Sequence, residues 1–274
     1  KKASVKENNM PNNYRVTTIN SKTNNANISF KIATDKTFNG KPSAEFVLDK
    51  ILDEGSIFKN QEEFKTDIAK NGIESSIGAA YDTISAAITC NSDDLQKALK
   101  SLQEVIENPR FTNEEFEHAK AEIKEALLTS NKSAYDKLSN ELYKGLQAGY
   151  SKEEILKDLE SLTIDDVKAL YDYTIKNGKG ELSISAPFER KPELNKILFN
   201  TLGEFKAVTP HYTRELQDAY RPVEETKVLT DTDFKNQAEI IEAYKFKINQ
   251  NIKDRVTLEL LNTILGGNPS SRLF

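Results

Sequence analysis

Two histidines and one cysteine are all that this chain of 274 residues offers for imidazole or thiolate chemistry, so their placement decides much. His118 precedes Glu122 by one helical turn, a spacing that suits either a shared metal ion or a plain contact on a solvated helix face. The glutamate-rich run over 114–125 favours the solvated face. His211 follows Pro210 in a polar stretch and reads as surface. Cys90 closes the apolar run over 83–90, the setting of a buried small hydrophobe rather than of a reactive thiol. A lone cysteine forms no internal disulfide, which leaves both a reducing cytosol and a periplasm open. G-x-S-x-G, a glycine-rich phosphate loop and a CxxC pair are all missing from the sequence, so serine hydrolysis, nucleotide binding and dithiol redox chemistry have no support.

Composition narrows the classes further. Net charge is −5, with Lys and Arg scattered among Asp and Glu, so a phosphate backbone finds no basic footprint and nucleic acid is not expected as a partner. No apolar run approaches the roughly 20 residues needed to span a bilayer, so no membrane anchor is expected either. The length predicts two domains. Position 1 is not Met, which suggests a piece of a longer protein; no signal or transit peptide is visible.

Any chemistry here must be positioned by a pattern of strands and helices that runs twice. Residues 1–13, with four Asn, a Pro and no apolar rhythm, read as a linker. Strands are predicted over 14–19 and 28–34, then a helix opened by Pro42-Ser43, with apolar positions Phe46, Val47, Ile51 and Leu52, and closed at Glu54-Gly55. Two further strands fall over 72–77 and 83–89. Helices follow over 95–107, 116–129, 137–146, 152–159 and 163–175, the fourth position of T-N-E-E at 112–115 suggesting a capping box. A strand over 181–186 and a helix over 192–203 complete a first module over 14–205, and the proline-bearing stretch 206–222 reads as a linker.

Over 223–274 the pattern restarts, with strands predicted over 226–229 and 238–248 and a helix over 254–265. V-L-D-K-I-L at 47–52 and L-L-N-T-I-L at 260–265 share L-x-x-I-L at an offset of 213 residues. Each follows two predicted strands and precedes glycine, so the second segment repeats the opening of the first, and the chain is expected to stop partway into that second module. Strands arriving in runs rather than alternating singly with helices predict an α+β fold, a mostly antiparallel sheet with helices packed on one face.

Tandem modules of this size, with L-D-E-G-S after the first helix, N-P-R-F at 108–111, S-L-T-I-D-D-V at 161–167 and G-G-x-x-S-S-R-L-F at 266–274, resemble the pitrilysin/insulinase family of zinc metallopeptidases, which includes the mitochondrial processing peptidases. The active module of that family carries H-x-x-E-H on its first helix, two zinc-binding histidines and a general-base glutamate, with a distal glutamate as third ligand. Aligned on Gly55-Ser56, those three positions fall on Phe46, Asp49 and Lys50, and the distal glutamate on Glu125 or Ala126. Neither histidine is there, and a charged Lys offers zinc no lone pair. The resemblance therefore implies the non-catalytic half: no catalytic and no metal-binding residue in this chain, itself inactive, with zinc held in the catalytic half of a parent metalloendopeptidase.

The resemblance implies further that this half forms a wall of the substrate chamber and positions peptide for proteolysis, with the zinc-bearing half, on the same chain or as a partner subunit, as its partner. It places Ser270, Ser271 and Arg272 at the substrate cleft; the local pattern alone reads the same residues as a helix end at Gly266-Gly267 and the start of another. The alternative function is a non-proteolytic scaffold or subunit-interaction module of the same fold. A bacterial periplasm is weighed above the cytoplasm. The apolar residues of the last predicted helix need cover, which a dimer would supply.

Overall fold

Alternation of apolar with short polar side chains builds the sheet. In the computed structural model, which describes residues 4–34, 41–80, 83–130, 133–210, 227–230, 241–243, 251–267 and 269–272, strands β1 (Val5–Asn9), β2 (Arg15–Asn20), β3 (Asn25–Ala33), β4 (Glu74–Ala80), β5 (Thr83–Asn91) and β6 (Lys179–Ala186) form one sheet in the order β1-β2-β6-β3-β5-β4. Only β2 and β6 run parallel; every other neighbouring pair is antiparallel. Register places Ile28 between Ile88 and Ile184, and Phe30 between Ala86 and Leu182, so one face is a continuous buried apolar layer. The opposite face carries Ser29, Lys31, Ser85, Ala87 and Ser183, all exposed. The expected α+β fold, mostly antiparallel with helices on one face, is what the chain adopts.

Helices α1 (Ala44–Asp53), α2 (Gln61–Ala69), α3 (Leu95–Glu107), α4 (Asn113–Thr129), α6 (Lys152–Ser161), α7 (Ile164–Asn177) and α8 (Glu193–Gly203) belong with the sheet to one compact unit; α5 (Ala134–Leu142) belongs with residues 215–274 to a second. In α1 the buried set is Ala44, Val47, Leu48, Ile51 and Leu52, each at most 1% exposed, and Phe46, expected on that face, stands 38% exposed. The difference is a matter of phase: Leu48 takes the inward position, and Phe46 lies about 200° round the helix from it. Ser43 does not cap α1 with its own oxygen. Its amide donates instead to Asp158 of α6 at 2.9 Å, and its hydroxyl donates to the same carboxylate oxygen.

Three expectations are corrected here. Residues 1–13, expected as a linker, hold β1, whose five residues are all exposed and which pairs with β2. The stretch from 206, also expected as a linker, begins as part of the first unit. Phe205 and Val208 are buried, and the Val208 and Thr209 amides donate to the Asn12 and Gly178 carbonyls. Helix α2 was not expected at all, although Asn60 and Glu63 form a complete capping box at its start. At α4, Thr112 caps the helix as expected, but Glu115 is not the reciprocal partner, because Arg110 Nε takes its carboxylate at 2.8 Å.

In the second unit, residues 227–230, expected within or beside a strand, carry none, and 241–243 carry none either; the rest of the expected strand over 238–248 lies outside the described residues. Within this unit Lys137 of α5 donates to the Thr230 carbonyl, and Glu141 pairs with Lys227. Helix α9 (Ile252–Gly266) is capped by Asn251, whose side chain accepts from the Asp254 amide. Its Leu260, Leu261, Ile264 and Leu265 are 39–62% exposed, although they repeat the apolar set that α1 buries almost completely.

Candidate functional site

The positions that would carry chemistry lie on α1 and face α4 and β4. Helical spacing puts residues 46 and 50 one turn apart on one side of α1. Lys50 Nζ stands 2.9 Å from Glu122 Oε2 on α4. That hydrogen-bonded pairing raises the Lys50 pKa and lowers that of Glu122. His118, one turn earlier on α4 and 61% exposed, reaches Glu122 at 3.7 Å and Glu54 at 3.9 Å; burial raises the Glu54 pKa, opposed by His118. The α4 carboxylate that meets α1 is therefore Glu122. Glu125 and Ala126, between which the distal position was expected, are both exposed on α4; Glu125 lies three residues on from Glu122, about 60° round the helix from it.

Asp49 points elsewhere. Its Oδ1 accepts from the Ala79 backbone amide of β4 at 2.9 Å. Gly78 is what lets the carboxylate lie there, since a Cβ on residue 78 would sit 2.1 Å from the same oxygen.

This donor set does not fit zinc. One histidine position holds a phenyl ring and the other an ammonium already engaged by a carboxylate, where zinc needs neutral imidazole, thiolate or carboxylate lone pairs. Among the described residues no three His, Cys, Asp or Glu side chains are grouped so as to hold a metal ion. Ser270, Ser271 and Arg272 lie in the second unit as a turn after α9. The Arg272 amide donates to the Ile264 carbonyl at 3.0 Å, and Ser271 Oγ is a buried atom with no hydrogen-bond partner among the described residues.

A second charged cluster, not anticipated from sequence, lines a cleft of about 380 Å³ beside α2 and α3. Lys97 and Lys59 reach the two oxygens of Asp67 at 2.8 and 2.9 Å, Lys59 also reaches Glu104 at 3.3 Å, and Ser56 Oγ donates to Glu104 at 2.6 Å. The hydrogen bonds from Lys97 and then Lys59 hold the Asp67 carboxyl down at about 2. A depressed carboxylate stabilises the fold above its unfolded value near 3.8 and loses that contribution as pH falls toward 2. The stability difference between wild type and Asp67→Asn is accordingly expected to be full at pH 6 and to vanish between about pH 4 and pH 2, measured by urea unfolding across that range.

Comparison with known proteins gives two family matches. The model described as insulinase (peptidase family M16) matches residues 43–154, and the one described as peptidase M16 inactive domain matches residues 161–274. No curated protein matches the sequence. Among solved structures, a peptidase M16 inactive domain from Pseudomonas fluorescens aligns with TM-score 0.66 and 17% identity, over 78% of this chain and 53% of that one. A protease from Helicobacter pylori aligns with TM-score 0.63 and 13% identity, over 78% and 53% of the two chains. The periplasmic protease PqqL from Escherichia coli aligns with TM-score 0.63 and 12% identity, over 77% of this chain and 25% of its own. The chain thus spans about half the length of the first two structures.

Proposed function

Since the chain belongs to the insulinase (M16) family of peptidases, on the side of its inactive domains, we propose that it acts in proteolysis as the half without the metal, a wall of the substrate chamber that positions peptide for a zinc-bearing half. The observation that carries this reading is the pairing of Lys50 with Glu122: the face of α1 where imidazoles would be needed is filled by a phenyl ring and a neutralised ammonium. A half whose α1 presents no imidazole for zinc contributes by orienting and enclosing substrate, effects that accelerate a reaction through proximity and exclusion of solvent rather than bond chemistry. The zinc-bearing half, on the same chain or a separate subunit, is the partner; the bacterial periplasm, the compartment of the E. coli neighbour, is the location in this reading. Among the described residues no helix is long and apolar enough to cross a membrane.

The test is casein hydrolysis by the H-x-x-E-H half encoded with this chain, assayed alone and with this chain present. Activity that needs both, with all the zinc on the other half, is the expected result. Metal-dependent hydrolysis by this chain alone overturns the assignment. A partner whose activity is indifferent to this chain, or no H-x-x-E-H half at all, points instead to the scaffold.

A further inference from the structure

Among the described residues strand β4 is one of the two outer strands of the sheet and pairs with β5 only. The amide of Ala79 gives its hydrogen to Asp49 Oδ1 on α1, so it faces the outer edge rather than β5, and the two-residue alternation of an antiparallel strand puts the Ile77 and Ser75 amides on that edge too. An edge of this kind is a template for another strand, whether an extended peptide or a second copy of the sheet. Here its last donor is taken by a side chain. The carboxylate lies close over the backbone at Gly78, within 2.1 Å of where any Cβ would be, and the helix that carries it packs against β4.

We propose that Asp49 closes the β4 edge to strand addition, so that this unit takes no extended peptide there and does not pair edge to edge with itself. The inference stands apart from the chamber reading above: it concerns where a peptide is refused, and it holds equally for a scaffold. In the resemblance from sequence, position 49 is the general base; in this chain the acid does structural work at the sheet edge, and natural sheets commonly guard their edges with an inward-turned charge.

The test uses the whole chain as wild type, Asp49→Ala, Asp49→Asn and Gly78→Ala, with hydrogen exchange at the Ala79 amide and fluorescence anisotropy of a labelled peptide of alternating Thr and Val as probe. Light scattering reports self-association. In the wild type the Ala79 amide is expected to be protected and the peptide unbound. Asp49→Ala is expected to speed exchange at Ala79 by roughly tenfold or more and either to bind the probe or to self-associate. Asp49→Asn keeps an acceptor oxygen and should behave as wild type. Gly78→Ala displaces the flexible carboxylate while leaving Asp49 in the sequence, and should open the edge as Asp49→Ala does even if that variant folds poorly. The proposal is overturned if both opening variants leave Ala79 protected, if neither binds the probe nor associates, or if the wild type already binds it.

Discussion

The double variant Phe46→His/Lys50→His is expected to retain one zinc ion per chain through exhaustive dialysis, where the wild type retains none. Positions 46 and 50 share a side of α1 and are partly open to solvent, so two imidazoles there converge one turn apart as zinc ligands commonly do. The third donor is already in place. Glu122 reaches the end of the long Lys50 side chain at 2.9 Å, and a metal ion about 2 Å beyond a histidine nitrogen would occupy much the same region as that ammonium. Adding Glu122→Gln to the double variant should lower retained zinc by roughly tenfold or more, as loss of one of three ligands does, whereas Glu125→Gln should leave it unchanged. Elemental analysis after dialysis reads all four proteins. A well-folded double variant without metal would show that the motif does not align on 46, 49 and 50.

Gly55→Ala should be among the most destabilising single-methyl additions in the first unit, at about 2 to 4 kcal/mol. Gly55 ends α1 at φ +88°, and a Cβ there would stand 2.5 Å from the Lys59 carbonyl oxygen and 2.9 Å from that of Asn60. Both obstacles are backbone, held in place because the Ser56 amide donates to the Lys59 carbonyl and Asn60 caps α2. Gly72 is the control, since its φ is +60° but nothing lies within 4 Å of its missing Cβ. Gly72→Ala therefore carries the left-handed strain alone, about 1 kcal/mol. For a unit of this size the larger cost lowers the melting temperature by roughly 5 to 15 °C. Thermal unfolding followed by circular dichroism compares the two, and equal losses would mean that the turn after α1 is not built as described.

How far these features could be read beforehand depended on whether a local rule governs them. Caps and apolar spacing are local: Thr163 with Asp166 and Thr112 at the start of α4 sit where their residue types announce them, and the absence of imidazole at 46 and 50 needs no structure. Strand β1 escaped because V-K-E-N-N buries nothing, so no alternation marks it; its place comes from pairing with β2 across a turn in which Asn13 adopts φ +71°. Helix α2 escaped because only Phe64 and Ile68 are buried in nine residues, too few to show a period. The bond from Asp49 to Ala79 spans 30 residues and exists only because α1 lies against an outer strand. The choice of Glu122 over Glu125 is a question of helix phase between two packed helices, which spacing along one of them does not fix.

The exposed face of the sheet bears on the proposed role as a chamber wall. Its exposed positions on β3, β5 and β6 include Asn27, Ser29, Lys31, Ser85, Ala87 and Ser183, with Thr89 and Ser185 half-buried beside them, and a depression of about 280 Å³ lies on it. Short hydroxyl side chains exchange hydrogen bonds with any polar group laid across them, yet they build no deep apolar slot in which one side chain would be preferred to another. If this chain does act as a chamber wall, a polypeptide meeting such a surface would be read mainly by its backbone and its bulk, so that discrimination there would be by shape and length more than by sequence.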